Sequence, residues 1–152
     1  MSIKLEHSVT AKCKPEHVWR KFQKLEEWPW WNRAIGQAKW IEVQPWQPGS
    51  RFMLELAYPK QMAFEPVVTE NAAPQTVAWK GEGSGITGAM RFRFDAQADG
   101  STLLKTEAEF SGWKTKFATD SINQAIHKTF EEWLNALKTE AEKIAREELA
   151  HS

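Results

Sequence analysis

Residues 119–149, TDSINQAIHKTFEEWLNALKTEAEKIAREEL, decide the fold because they carry a helical pattern over about eight turns. Apolar and small side chains recur there at steps of three and four residues, which places them on one stripe of a helix. They are Ile122, Ile126, Phe130, Trp133, Leu137, Ala141 and Ile144. Thr119 or Asp120 can cap the first turn, and neither Pro nor Gly interrupts the run. An amphipathic helix roughly 45 Å long is therefore predicted, and it needs another layer to cover its apolar stripe.

The chain before this helix has the pattern of β-strands. Residues 3–11 alternate between apolar and polar side chains, which predicts a first strand with His7 pointing inward. Pro15 is expected to open a short helix, and a second helical or irregular piece is expected at 28–32, Trp-Pro-Trp-Trp-Asn. Turn signals then divide the chain into six strands. These strands span 38–45, 51–58, 61–70, 76–82, 87–96 and 102–113.

Strands at this spacing, without helices between them, predict an antiparallel sheet and an α+β fold in which the helix lies across the sheet. The last hairpin also predicts its own register. With equal parity, Phe92 shares a face with Thr106, and Arg91 shares the other face with Glu107. An odd register would set Phe92 beside a charge, so the pattern excludes a two-residue Asp-Gly turn. It favours a longer loop with Gly100 in the left-handed region, and a solvated ladder of charges on the outer face.

Composition limits the classes of protein to consider. The chain of 152 residues is long enough for one domain with a core, and its 20 basic residues balance 20 acidic ones. This balance disfavours a general surface for nucleic acid or anionic membrane. The single cysteine, Cys13, excludes an internal disulfide framework, and no apolar run approaches about 18 residues. We therefore expect a soluble, unprocessed, cytoplasmic protein without stable membrane insertion.

Short motifs along the chain, taken in their order, resemble a known family. They are Val-Trp at 18–19, Trp-Asn at 31–32, the turn at Gly49, Trp-Lys-Gly at 79–81, Gly-Ala-Met-Arg-Phe-Arg-Phe at 88–94, Gly-Ser-Thr at 100–102 and Glu-Phe-Ser-Gly at 109–112. The chain is similar to the polyketide cyclase/dehydrase and lipid-transport family of the START-like (SRPBCC) superfamily, whose fold is called the helix-grip. The resemblance spans nearly the whole chain and implies a single domain over 1–152.

The resemblance implies a strand, two short helices, six strands and the long helix around an apolar pocket for a small hydrophobic molecule. The ligand would be lipid-like or an aromatic, polyketide-like compound. It implies no particular reaction, because similar proteins include lipid carriers, hormone-binding proteins and aromatic-polyketide cyclases. Many relatives carry a histidine on the sixth strand, where Met90 stands here, so no catalytic residue is carried over to that position.

The residues predicted to line the pocket share the apolar faces of strands and helix. They are Phe52, Leu54, Phe64, Trp79, Phe92, Thr106, Asn123 and Ile126. Inward polar groups among apolar neighbours can orient an oxygen of the ligand, and His7 or His127 are candidates for acid or base. No cofactor is expected. No metal site is expected either, because the four histidines lack paired spacing and both His17 and His151 lie in solvated contexts.

Three functions stay open on the sequence. The first is binding of a small hydrophobic ligand in a cavity between sheet and helix, with nine tryptophans and eight phenylalanines available to line it. The second is a cyclase or dehydratase in which His7, His127 or Asn123 polarises a carbonyl. The third is an interaction module similar to the chaperone-activating branch of the superfamily. Its protein partner would bind Trp28, Trp30 and Trp31, which are otherwise expected to form core and a lid.

Overall fold

The long helix forms as expected and organises the molecule. A computed structural model describes residues 2–41, 44–57, 61–83, 85–112 and 119–151. Helix α3 spans Asp120–Ala150, and the Thr119 side chain caps it by accepting a hydrogen bond from the Ile122 amide at 3.2 Å. Over these ranges no helix combines the length and apolar character needed to cross a bilayer.

The buried stripe of α3 begins later than the sequence pattern indicates. Phe130, Trp133, Leu137 and Ala141 are buried as predicted. The prediction for Ile122 is wrong, since 42 % of this side chain is exposed. Ile126 and Ile144 are half-buried, so the fully buried part of the predicted stripe runs from Phe130 to Ala141, and its first two turns are less covered by the sheet.

Short helices and strands precede α3, and their order in the described residues follows the prediction with local corrections. They are β1 (Ser2–Ala11), α1 (Pro15–Phe22), a 3₁₀ turn (Leu25–Glu27), α2 (Trp28–Trp31), β2 (Ile35–Trp40), β3 (Phe52–Leu56), β4 (Met62–Phe64), β5 (Val67–Ala72), β6 (Thr76–Gly83), β7 (Ile86–Ala96) and β8 (Thr102–Ser111). The predicted strand at 61–70 is two strands, because Pro66 lacks an amide hydrogen and cannot continue a ladder. The predicted strand at 38–45 begins at Ile35 and ends at Trp40; Glu42 and Val43 lie outside the described residues.

In the described part of the chain, the strands form two antiparallel sheets. One has the order β1-β8-β7-β6-β5 and the other has the order β2-β3-β4. They are joined by an isolated bridge between Arg51 and Val67, and the Phe52 amide donates to the Pro66 carbonyl at 3.0 Å. The break at Pro66 thus turns one predicted meander into a bent pair of sheets. Helix α3 packs on β1 and β8, and α1 packs on α3.

The register of the last hairpin is the predicted one. Phe92 pairs with Thr106 and Arg91 pairs with Glu107, while residues 97–101 form the loop and Gly100 has φ = +89°. On the outer face Lys105 of β8 contacts Glu6 of the neighbouring β1 at 3.1 Å. Arg91 of β7 contacts Glu70 of β5, two strands away, at 2.9 Å rather than its direct partner Glu107. Both faces of the hairpin are therefore assigned as the sequence indicated.

Two glycines of β6 let another segment of the chain cross the strand closely. A Cβ atom at Gly81 would lie 2.8 Å from the Cα of Pro66, and one at Gly83 would overlap the carbonyl oxygen of Ala63. Larger residues would force β4 and the Pro66 bend away from β6. The glycines at the end of β6 therefore serve close backbone packing.

Candidate functional site between the helix and the sheet

Aromatic side chains from several elements meet in the space under α3. We call them the aromatic cluster; its members are Phe22, Trp28, Trp46, Phe52, Trp79, Phe92 and Trp133. Trp79 and Phe92 are nearly parallel, with ring centres 5.4 Å apart and planes at 20°. The ring centres of Phe92 and Trp133 are 5.0 Å apart, which links the sheet to α3. Such contacts stabilise beyond their buried area by about 0.5–1.5 kcal/mol each.

The residues predicted to line a pocket occupy this interior to different degrees. Phe52, Trp79 and Phe92 belong to the aromatic cluster and are buried. Leu54 and Phe64 are also buried and oppose each other across β3 and β4. Thr106 is buried beside Phe92, while Asn123 and Ile126 are half-buried on the second turn of α3. The structure thus brings Phe52, Trp79, Phe92 and Thr106 into one neighbourhood.

Four members of the aromatic cluster were absent from the predicted lining: Phe22, Trp28, Trp46 and Trp133. Trp133 lies on the helical stripe and Trp28 in the Trp-Pro-Trp-Trp segment, so the sequence contained a signal for both. Trp46 lies in the connection between β2 and β3 with φ = +66°, and no periodic pattern marks such a position. Its inclusion depends on the tertiary structure.

A group of polar side chains lies beside the aromatic cluster, and we call it the polar corner: His7, Thr106, Asn123 and His127. His7 Nε2 lies 3.1 Å from His127 Nδ1, and the two rings meet edge to face at 5.2 Å. His7 pairs with Thr106 across β1 and β8, and Asn123 lies one helical turn before His127. One imidazole must donate and the other accept in this contact. The two histidines that the sequence offers as candidates for acid or base are therefore brought together.

Six buried side-chain atoms lack a hydrogen-bond partner within the described residues, and we call them the unsatisfied atoms. They are Trp31 Nε1, Asn32 Nδ2, Trp79 Nε1, Thr106 Oγ1, Asn123 Oδ1 and Trp133 Nε1. Two of them belong to the polar corner and two to the aromatic cluster. Buried polar atoms in proteins are nearly always hydrogen-bonded, so each of these atoms calls for an explanation.

The tryptophan segment does not form one exposed patch. Trp28 is fully buried in the aromatic cluster, and its indole donates to the carbonyl of Phe22 at 2.8 Å. Trp31 is half-buried, whereas 76 % of Trp30 is exposed. Trp28 is therefore part of the core, whereas the indole of Trp30 faces solvent.

Cys13 and His17 are both buried, and their contacts are with neighbouring parts of the fold. Burial raises the pKa of the Cys13 thiol to about 11, and the negative charge of Glu142 acts in the same direction. The thiol is therefore protonated at neutral pH and is a poor nucleophile. The prediction of a solvated His17 is wrong, because only 7 % of this residue is exposed. Its Nδ1 accepts from the Lys14 amide at 3.0 Å, and its Nε2 lies 3.2 Å from Glu148 Oε2, so α1 and the end of α3 enclose it.

A groove of about 550 Å³ lies on the face of the larger sheet opposite α3. Ala78 and Ala89 line it, the buried Ala108 borders it, and charged side chains of both signs surround them, among them Lys80, Arg91 and Glu109. The groove is open to solvent and carries no excess of either charge, in contrast to the aromatic interior.

Comparisons with known proteins agree on a family and a fold. A sequence profile of the family described as polyketide cyclase / dehydrase and lipid transport matches residues 2–142. No curated protein matches the chain in sequence.

Solved structures resemble the chain over most of its length. The Zhui aromatase/cyclase from Streptomyces sp. R1128 has a TM-score of 0.78 at 14 % identity, covering 94 % of this chain and 95 % of its own. A START superfamily protein from Mycobacterium smegmatis has a TM-score of 0.68 at 16 % identity, with 95 % and 97 % covered. Major latex-like protein 151 from Panax ginseng has a TM-score of 0.71 at 12 % identity, with 95 % and 98 % covered. At these identities the likeness shows the fold alone, which is the helix-grip arrangement.

Proposed function

We propose, since this chain belongs to the polyketide cyclase / dehydrase and lipid transport family, that it binds a small, mainly hydrophobic molecule between α3 and the sheet. The family fits such a ligand, and the aromatic cluster offers ring faces from several elements for an apolar body. The beginning of α3, where burial is incomplete, is the natural way in.

The observation that carries the proposal is the set of unsatisfied atoms. An unpaired buried polar group costs about 1–3 kcal/mol. Thr106 Oγ1 and Asn123 Oδ1 both lack a partner in the described ranges, and both belong to the polar corner. A ligand that carries a polar group on an apolar body would satisfy atoms at the polar corner while its rings contact the aromatic cluster. This arrangement explains why polar atoms are kept in an aromatic interior.

Native mass spectrometry of the purified protein, compared with the denatured chain, tests the proposal directly. We expect a co-purified small molecule, or binding of an apolar fluorescent probe with a stoichiometry near one. Binding should quench indole emission, and the quenching should be weaker in Trp79→Phe, because Trp79 is one of the indoles of the aromatic cluster and contacts Phe92. A protein that carries no molecule and binds no probe would contradict the proposal.

A second candidate function is acid–base catalysis on the bound molecule, and the contact between His7 and His127 favours it. A pair of imidazoles can hold a proton at one nitrogen and accept one at another, which suits the cyclase or dehydrase chemistry named in the family description and the aromatase/cyclase chemistry named for the Streptomyces structure. With an aromatic polyketide-like substrate, His7→Gln and His127→Gln should each abolish turnover while probe binding persists. Full turnover in both variants would exclude this role.

A further inference from the structure

The two edges of the larger sheet differ in what covers them. β5 forms one edge, and the segment before β3 bonds to it: the Gly49 amide donates to the Val68 carbonyl at 2.8 Å, and the Val68 amide donates to the Ser50 carbonyl at 2.9 Å. β1 forms the other edge, and β8 is its only strand neighbour in the described part of the chain. Within the same ranges, no backbone hydrogen bond reaches the opposite side of β1. β1 therefore presents a row of free amide and carbonyl groups.

The cover of this edge begins only after β1 has ended. The Lys12 amide, directly after the strand, donates to Glu142 Oε2 at 2.7 Å, so α3 caps the chain there. Earlier along β1, α3 lies on the inner face of the sheet, where His127 contacts His7. Residues 2–8 are thus open to another strand, which an exposed edge binds through main-chain hydrogen bonds. Three inward side chains of β1 are accordingly only half-buried: Ile3, His7 and Val9.

The side chains of β1 limit what the added strand can be. Ile3, Leu5 and His7 point inward, whereas Lys4 and Glu6 are exposed on the outer face. An antiparallel neighbour must also bring apolar residues to the inner face, and it must meet a basic and an acidic residue two positions apart on the outer face. A second copy of β1 meets both requirements, because in an antiparallel pair its charges run in the opposite order.

One register satisfies the charges. A twofold pair centred on Leu5 sets Lys4 opposite Glu6 of the second copy, and Glu6 opposite its Lys4. A centre at Lys4 or at Glu6 would set like charges opposite each other, and an odd register would set Lys4 beside Leu5. In the register centred on Leu5, Ile3 of the second copy lies beside the half-buried His7 and borders the polar corner.

From the free edge and its charge order, we propose that the protein forms a twofold homodimer. The β1 strands of two copies pair antiparallel over residues 2–8, with Leu5 at the centre, and join the two larger sheets into one. The pairing removes the free edge, which would otherwise be available to any exposed strand. This interface does not depend on what the interior binds, so its failure and the failure of the proposed function are distinguishable.

Sedimentation velocity of the full chain over a concentration series, in reducing buffer, tests the association. We expect a monomer–dimer equilibrium for the wild-type protein. Lys4→Glu sets acidic groups opposite each other at two symmetric positions and should weaken the dimer about tenfold or more, and Glu6→Lys should do the same with basic groups. Lys80→Glu makes the same change of charge as Lys4→Glu on β6, away from this edge, and should dimerise like the wild type.

Folding of the variants needs its own measurement. Glu6 also contacts Lys105 of its own chain at 3.1 Å, and Glu6→Lys replaces this ion pair with a repulsion. Denaturation curves of each variant therefore accompany the sedimentation data, and a variant counts only where its unfolding remains cooperative.

A mixture of the two single variants tests the register. Across a pair centred on Leu5, the acidic edge of Lys4→Glu meets the basic edge of Glu6→Lys at both charged positions. We expect an equimolar mixture to form a heterodimer, although each variant alone is mainly monomeric. Native mass spectrometry with one variant labelled with ¹⁵N distinguishes the heterodimer from either homodimer. The mixture also provides a control for folding, because a misfolded variant could not restore association.

Three results would overturn the proposal. The first is a wild-type protein that stays monomeric up to near-millimolar concentration. The second is a dimer that Lys4→Glu leaves as tight as Lys80→Glu does, because its interface would lie elsewhere. The third is a mixture of folded Lys4→Glu and Glu6→Lys chains that does not associate, which would exclude the pairing centred on Leu5.

Discussion

Glu148, near the end of α3, joins this helix to α1. Its carboxylate lies 3.2 Å from His17 Nε2 and 3.2 Å from Arg20 Nη2, so it joins the end of α3 to α1. The hydrogen bond with His17, and then that from Arg20, lowers the pKa of Glu148 below its ordinary value of 4.5. The folded state therefore favours the charged form of this carboxyl group.

The sign of the pH dependence follows from that direction. A lowered pKa in the folded state contributes stability above pH 4.5, and this contribution is lost as the pH falls below that value through the folded-state pKa. We expect Glu148→Gln to lower the urea midpoint at pH 7, and the difference from wild type to shrink toward pH 3. Glu147→Gln, at an exposed neighbouring position, is the control and should leave the pH dependence of the midpoint unchanged. Identical pH profiles for wild type and Glu148→Gln would contradict this role.

Phe130 packs helix α3 against the larger sheet. Its ring centre lies 6.0 Å from that of Phe110 on β8 and 5.6 Å from that of Trp133. We expect Phe130→Ala to lower the free energy of unfolding by roughly 3–5 kcal/mol, since it leaves a cavity in the helix–sheet interface. Chemical denaturation measures this change. Lys143→Ala, on the exposed face of the same helix, should change stability by less than about 0.5 kcal/mol. Equal losses in both variants would contradict the packing of this face on the sheet.

The elements show which features of the fold could be predicted from local patterns. The helical stripe of α3 and the parity of β7 and β8 depend on side-chain periodicity, so both were accessible from the sequence. The split at Pro66 was readable in principle, because proline cannot donate to a ladder. The exposure of Ile122 was not readable, since it depends on where the sheet stops covering the helix.

The candidate site was predictable to a smaller extent for the same reason. Phe52, Trp79, Phe92 and Thr106 follow from strand alternation, which assigns a face to each residue. Trp46 reaches the cluster from an irregular segment, and the burial of His17 depends on α1 meeting the end of α3. Contacts between elements far apart in sequence leave no periodic signal in either element.

The larger sheet has an inner face toward α3 and an outer face with the groove, so substitutions on the two faces test where a ligand binds. Ala108 faces the interior between Leu5 and Met90, and Ala89 faces the outer groove on the adjacent strand. We expect Ala108→Trp to abolish binding of an apolar fluorescent probe at a cost of about 1–3 kcal/mol in stability, as overpacking does. Ala89→Trp fills the outer groove instead and should leave probe binding intact.

The reverse result would place the ligand on the outer face. Loss of binding in Ala89→Trp with retention in Ala108→Trp would assign the probe to the groove of about 550 Å³. Unfolding of Ala108→Trp in a protein that binds no probe would indicate an interior without room for a ligand. Denaturation curves of both variants, measured before the titrations, distinguish lost binding from lost structure.

The position of β1 has a consequence for how the chain folds. This first strand pairs with β8, and His7 contacts His127, which lies 120 positions later in the sequence. Each contact of β1 with its neighbours closes a long loop, so the entropy of closure must be overcome before the contact stabilises anything. During synthesis β1 is made before β8 and α3, so it cannot form these contacts until both have followed. We therefore expect β1 to join the sheet late in folding, and contacts of this sequence separation are of the kind that slow folding.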